Sequence, residues 1–284
     1  MKENRFFSFI IITIIYVLAG VVGFVCYHLL PFSMWLNLLI ADISATVLTF
    51  AFSLLLKNAS VYDPYWSVQP AFILTCFALV NTLNAVKIAL LVAILLWAVR
   101  LTLNWAYTFK NLTHEDWRYR MLKEKTKGFY PIINFVGIHL VPTLVVYACT
   151  LPAVMLLTTA ASGNIFCYIF IALALFATCL QGVSDYQMHK FQKDKKGQTF
   201  IRVGVWKHSR HPNYLGEILM WWAVGLCAFV TLNFNPICLI GATLNSLLFA
   251  FVSIPLADNK QSAKEGFEEY KKSTRALLPI KKFH

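Results

Sequence analysis

Long apolar stretches recur along this chain, in lengths that a water-soluble core does not need. Hydropathy places eight of them: Phe6–Leu30, Met34–Leu56, Trp66–Leu83, Val86–Phe109, Ile132–Thr158, Ile165–Gly182, Tyr214–Leu232 and Pro236–Ala257. A helix needs roughly 20 apolar residues to cross the hydrocarbon of a bilayer, and these stretches reach or approach that length. Only 13% of the 284 residues are charged and 58% are hydrophobic, whereas a soluble domain carries roughly 25% charge. Too little polar surface exists to cover a globule in water. The expected fold is therefore all-α, a polytopic integral membrane helical bundle of about seven or eight transmembrane helices. Pro31 and the turn Asn233-Phe-Asn-Pro236 separate spans by their own backbone preferences.

Charge orients the bundle. With eight spans and the N-terminus inside, five segments face the cytoplasm: the N-terminus, Lys57–Tyr65, Lys110–Pro131, Val183–Asn213 and the tail from Asp258. They hold 23 of the 25 Lys and Arg residues, which is the bias that the positive-inside rule describes. Both termini are expected in the cytoplasm. The net charge of +12 is broken up by apolar spans, so it points to a membrane surface and an anionic cofactor and away from nucleic acid. The seven cysteines all lie in apolar segments with no metal-ligand spacing, and they read as buried small hydrophobes. No metal is implied.

The polar stretch Gly204–Glu217 leads straight into an apolar helix. Pro212 suits the first helical turn, where its missing N–H costs nothing. The helix start, with Arg210 and His211 just before it, makes an anion site suited to phosphate. Glu217 lies one turn inside, where a carboxylate needs a partner or a function; a structural Glu217–Arg210 pair is the plain alternative. Arg100 sits within the fourth span and shares a helix face with Asn104, Thr108 and Asn111. Its plain alternative is a structural pair with Asp42. No Gly-x-Gly-x-x-Gly stretch follows a strand, so a dinucleotide would need a helical site.

Four stretches together resemble the steroid 5α-reductase superfamily, and most closely its bacterial branch described as a steroid-reductase-type domain of unknown function (DUF1295). They are Val61-Tyr-Asp-Pro-Tyr-Trp66; Trp97-Ala-Val-Arg-Leu101 with Glu115-Asp-Trp-Arg-Tyr119; Asp185-Tyr-Gln187 with Lys190 and Phe191; and Arg210-His-Pro-Asn-Tyr-Leu-Gly-Glu217. A similar R-H-P-x-Y…E pattern occurs in integral-membrane methyltransferases acting on isoprenylcysteine or phospholipid amines. Asn213 and the Glu115–Tyr119 signature favour the reductase side.

The resemblance implies NADPH among the later helices and hydride transfer to a C=C bond conjugated to a carbonyl in a lipophilic, steroid- or isoprenoid-like substrate. That substrate would enter from the bilayer. Cofactor contacts fall on Arg100, Asn104, Arg118, Tyr119, Asp185, Lys190, Arg202, Arg210, His211, Asn213, Tyr214 and Glu217. Catalytic candidates are Asp63, Trp66, Gln69 and Trp97, with Tyr62 and Tyr65 nearby; a structural cap is an equal reading for Asp63. Steroid reductases place a Tyr where this chain has Trp97, and an indole cannot protonate an oxyanion in the same way. The resemblance further implies N-terminal transmembrane helices over 1–60, a reductase-like domain over 61–284, a monomer among membrane lipids, and a bacterial inner membrane. A methyltransferase using S-adenosylmethionine is the competing reading. A transporter would show inverted repeats, and none is visible.

Overall fold

The computed structural model describes residues 2–195 and 197–279; the last five residues of the expected 61–284 domain lie outside them. Among the described residues the chain is helical with no strand. The elements are α1 (Arg5–Leu29), α2 (Met34–Leu56), α3 (Tyr65–Val80), α4 (Ala85–Thr108), α5 (Trp117–Thr126), α6 (Tyr130–Ile133), α7 (Val141–Thr158), α8 (Ile165–Lys193), α9 (Pro212–Thr231), α10 (Ile240–Leu248), α11 (Ile254–Ser262) and α12 (Phe267–Ser273). A π-helical stretch, Asn134–Leu140, joins α6 to α7, and another, Phe249–Ser253, joins α10 to α11.

Local chemistry sets the ends. Asn4 and Ser33 cap α1 and α2 by accepting the Phe7 and Leu36 N–H groups, the usual remedy for unpaired donors at a helix start. Asn164 and Cys167 form a reciprocal cap on α8. Pro212 opens α9 as the sequence implies.

Among the described residues, seven helical segments are long and apolar enough to cross a membrane. The third expected span is the exception: α3 has 16 residues and carries Pro70, so it falls short of the hydrocarbon thickness as a regular helix. The sixth differs in the other direction. Helix α8 runs to Lys193, so its 29 residues extend about 44 Å at 1.5 Å per residue. Asp185, Gln187 and Lys190 therefore stand on a helix and not on the expected cytoplasmic loop. Large side chains such as Ile14, Val17, Val21 and Phe24 on α1 are exposed, as lipid-facing positions must be.

Packing divides the chain into two compact units, each built from separate stretches. Unit 1 comprises Met1–Cys76 and Leu101–Tyr147; unit 2 comprises Phe77–Arg100 and Ala148–His284. Helices α3 and α4 each contribute residues to both units. In unit 1, α1 packs on α2, and Ala19, Ala45, Tyr62, Tyr65, Tyr119 and Ile138 form a core. In unit 2, α8 packs along α9. The Lys87 ammonium is buried there and donates to the carbonyls of Thr82, Leu157 and Thr159 at 3.1, 3.1 and 2.6 Å. All three of its N–H groups are thus satisfied without a carboxylate.

Gly216 permits a close approach of α9 to α8: a Cβ there would run into the Gln181 side chain and, at 2.8 Å, the Ala177 carbonyl oxygen. Membrane helices rely on such small residues because burial from water does not drive their association. Gly216→Ala is expected to destabilise the protein by about 1–3 kcal/mol, the usual penalty for overpacking, seen as a lower melting temperature in detergent.

Candidate functional site

In unit 2, three helices meet through charge. The Arg100 guanidinium on α4 lies 2.7 Å from Asp185 on α8 and 3.6 Å from Glu217 on α9, and it also donates to the Gln181 amide oxygen. Glu217 accepts from the indole N–H groups of Trp97 at 2.9 Å and Trp221 at 3.0 Å, whose rings meet edge to face at 4.9 Å. One guanidinium faces two carboxylates, and the indoles supply the remaining hydrogen bonds. Arg100 Nε and Gln181 Nε2 are buried donors with no protein partner.

The start of α9 is clasped by the C-terminal segment. Arg210 Nη2 pairs with Asp258 Oδ2 at 2.7 Å, Nε donates to Oδ1 of the same carboxylate, and Nη1 donates to the Thr274 carbonyl. His211 Nε2 donates to Asp258 Oδ1 at 2.9 Å. The backbone N–H groups of Arg210 and His211 donate to the Arg275 and Ala276 carbonyls, each at 3.0 Å. These groups, expected to face a phosphate, are engaged by protein. Beside them lies a cleft of about 200 Å³. Phe191, Phe200, Trp206, Phe267 and Tyr270 form apolar walls, and Asn213, Tyr214, Gln261 and Lys264 are among its polar lining. Asn213 Oδ1 and Gln261 Oε1 are buried acceptors with no protein partner. Burial, with Lys195 adding to it, pulls the Lys264 ammonium below the ordinary lysine range.

In unit 1, a polar chain runs through the interior. Asp42 on α2 accepts from Tyr65 at 2.7 Å and from the Gln69 amide at 2.9 Å. Thr46 hydrogen-bonds Tyr65 and Thr143, and Thr143 bonds Tyr62 at 2.6 Å. Tyr62 also packs on His139, with ring centroids 4.5 Å apart. His139 Nδ1 bonds the Asn134 carbonyl at 3.0 Å; a carbonyl only accepts, so Nδ1 carries the proton and Nε2 is a free acceptor. At the edge of this unit Asp63 accepts from the Tyr119 hydroxyl. Burial pushes the Asp63 carboxyl up to about 7, with the nearby Arg118 guanidinium pulling the other way.

The expected site residues divide accordingly. Asp63, Trp66, Gln69, Asn104, Arg118 and Tyr119 belong to unit 1; Trp97, Arg100, Asp185, Lys190, Arg202, Arg210, His211, Asn213, Tyr214 and Glu217 belong to unit 2. Trp97, Arg100, Asp185 and Glu217 come together, and so do Arg210, His211, Asn213 and Tyr214 around the cleft. Lys190 and Arg202 are exposed, with Arg202 over the Phe200 ring. Arg118 is bound by Asp116 at 2.9 Å. The Trp66 indole N–H and Gln69 Oε1 are buried without a protein partner. Neither plain alternative is the pairing found: Arg100 takes Asp185 and Glu217 in place of Asp42, and Arg210 takes Asp258 in place of Glu217. Sequence reasoning missed Asp258 and Gln181. For Gln181 the signal is a lone polar group in an apolar stretch; Asp258 opens the polar run Asp258-Asn-Lys-Gln-Ser262 and carries no such mark.

A family model described as "Protein of unknown function (DUF1295)" matches residues 49–274. A relative from Schizosaccharomyces pombe, "Uncharacterized protein C594.04c", is 28% identical over 228 residues, 69% of this chain, and the match spans 64% of that relative's length. No solved structure matches.

The position of Asp63 implies a pH dependence. An unfolded Asp titrates near 3.9, so its raised folded pKa contributes stability that is fully present below about pH 4. That contribution is lost as pH rises through about 7, at most about 4 kcal/mol in all. Asp63→Asn is expected to flatten this part of the stability–pH curve measured between pH 4 and 8 in detergent.

Proposed function

We infer the function from one premise: this chain belongs to the DUF1295 family, which is part of the steroid 5α-reductase-like group. The proposed protein is a membrane-embedded reductase that uses NADPH to reduce a C=C bond conjugated to a carbonyl in a lipophilic, steroid- or isoprenoid-like molecule. Its substrate reaches it from the bilayer, and it works as a monomer among membrane lipids. We place it in a bacterial inner membrane on the family resemblance, with both termini in the cytoplasm on the charge bias of the loops; that even count of crossings requires the short α3 to cross as well.

The observation that carries the cofactor part is the cleft at the Arg210–Glu217 box. Its two orphaned acceptors, Asn213 Oδ1 and Gln261 Oε1, would hold ribose hydroxyls or an amide or amine, since an unpaired buried acceptor is costly until a donor arrives. The aromatic walls suit a flat ring. Lys190, Arg202 and Lys264 supply cations of unit 2 for phosphate. Bound there, the cofactor supplies a hydride. Arg210 and His211 hold the box in shape through Asp258, and Trp97 and Arg100 hold Glu217. An oxygen that gathers negative charge during reduction needs a donor, and within unit 2 Arg100 Nε and Gln181 Nε2 are buried donors with no protein partner.

One observation favours a second reading, a methyltransferase using S-adenosylmethionine. Arg100 and Arg210 are both held by carboxylates, which leaves few free cations for a pyrophosphate, whereas the cleft would accept the adenosine of either molecule. Family membership favours the reductase.

Thermal protection in detergent separates the two. A ligand at 100 times its Kd stabilises by about 2.7 kcal/mol, so NADPH is expected to raise the melting temperature and S-adenosylmethionine to leave it unchanged. Asn213→Ala is expected to weaken NADPH by roughly tenfold, about one hydrogen bond, with little loss of stability. Protection by S-adenosylmethionine alone would overturn the reductase.

A further inference from the structure

The end of α5 in unit 1 carries a charge pattern that neither the fold nor the proposed reaction uses. Arg120, Lys123, Lys125 and Lys127 are all exposed, and none has a carboxylate partner among the described residues. Lys123 lies over the Tyr130 ring, which leaves its charge without an anion. The nearby acids are engaged elsewhere. Asp116 binds Arg118 and caps α5, and Glu115 accepts the Ala59 N–H at 2.9 Å. Glu124 is the one exposed carboxylate within the group. Cations in a last helical turn offset the helix dipole, which accounts for Lys123 and Lys125. Arg120, further back, and Lys127, beyond the helix, have no such role, and Lys123 and Lys127 stand four apart, where like charges repel.

The backbone adds a second observation. Lys127 holds φ 45°, ψ −116°, a region that residues with a Cβ rarely adopt and that glycine enters freely. A lysine kept there, directly before Gly128, marks a position where the side chain matters more than the local strain.

The surroundings identify what it faces. Two residues after Lys127, Phe129 is 73% exposed, and Ile132 is 61% exposed. The chain then runs through the π-helical stretch into α7, within a candidate membrane span. Exposed cations immediately before exposed apolar side chains at the start of a span stand at headgroup level. We propose that the Arg120–Lys127 segment is a docking surface for anionic phospholipid headgroups, whose phosphates take the place of the missing carboxylates.

The test uses the full chain purified in neutral detergent, with phosphatidylglycerol or phosphatidylcholine added and retained lipid counted by native mass spectrometry. Phosphatidylglycerol is expected to be retained preferentially, and added salt to weaken it. Each cation removed is expected to cost about fivefold in retention, from roughly 1 kcal/mol per basic residue near a membrane surface, so Arg120→Gln/Lys123→Gln/Lys125→Gln/Lys127→Gln should abolish the preference. Lys127→Gly separates a structural from a binding role. It relieves the backbone and should raise the melting temperature while lowering phosphatidylglycerol retention. Equal retention of both lipids by the wild type, unchanged preference in the quadruple variant, or full displacement of the lipid by millimolar inorganic phosphate would overturn the proposal.

Discussion

A guanidinium inside a lipid-facing bundle has no water to solvate it, and the organisation of unit 2 follows from that. Arg100 on α4 meets Asp185 on α8 and Glu217 on α9, so one charge ties three helices that apolar packing alone would leave free to slide. Hydrocarbon gives helices little reason to choose one partner face over another; an unpaired charge gives a strong one. The indoles of Trp97 and Trp221 complete the arrangement by donating to Glu217. Gly216 lets α9 come close to α8 just one residue before that carboxylate.

The same constraint is met differently at the other polar groups. Asp42 in unit 1 has neutral partners, Tyr65 and Gln69, and through Thr46 and Thr143 it belongs to a chain of hydroxyls. Lys87 is held by three backbone carbonyls. Asp258 gathers Arg210 and His211 and so closes the tail over the start of α9. These solutions leave particular atoms unused, notably Asn213 Oδ1, Gln261 Oε1 and the Trp66 indole N–H. A buried polar atom that the protein declines to satisfy is where a ligand gains most, which is why the cleft, rather than the arginines, carries the cofactor proposal.

The spans were legible because an apolar run of this length has little use outside a bilayer; α2 begins and ends at the expected residues. The family was legible from four short stretches in order. The full length of α8 was not, since its last turns are polar and read as loop although they continue the helix to Lys193. Nor were the π-helical stretches, which depend on hydrogen bonds to the fifth residue that no side-chain pattern announces. Partner choice was the hardest part. The need of Arg100 for an anion is plain, but Asp185 and Glu217 are remote in the chain, and only packing decides between them and Asp42. Arg210 needs Asp258, a residue that stands at the end of an apolar run with nothing local to mark it.

The claim that charge pairing organises unit 2 is tested most directly by a double-mutant cycle on Arg100 and Asp185, read as stability in detergent. Arg100→Met and Asp185→Asn are each expected to destabilise, and removing one partner of a buried pair typically costs about 3–5 kcal/mol. The double variant is expected to lose less than the two losses added together, with a coupling of about 1–3 kcal/mol. Additive losses, within about 0.5 kcal/mol, would show that the two charges do not depend on each other and would contradict the account.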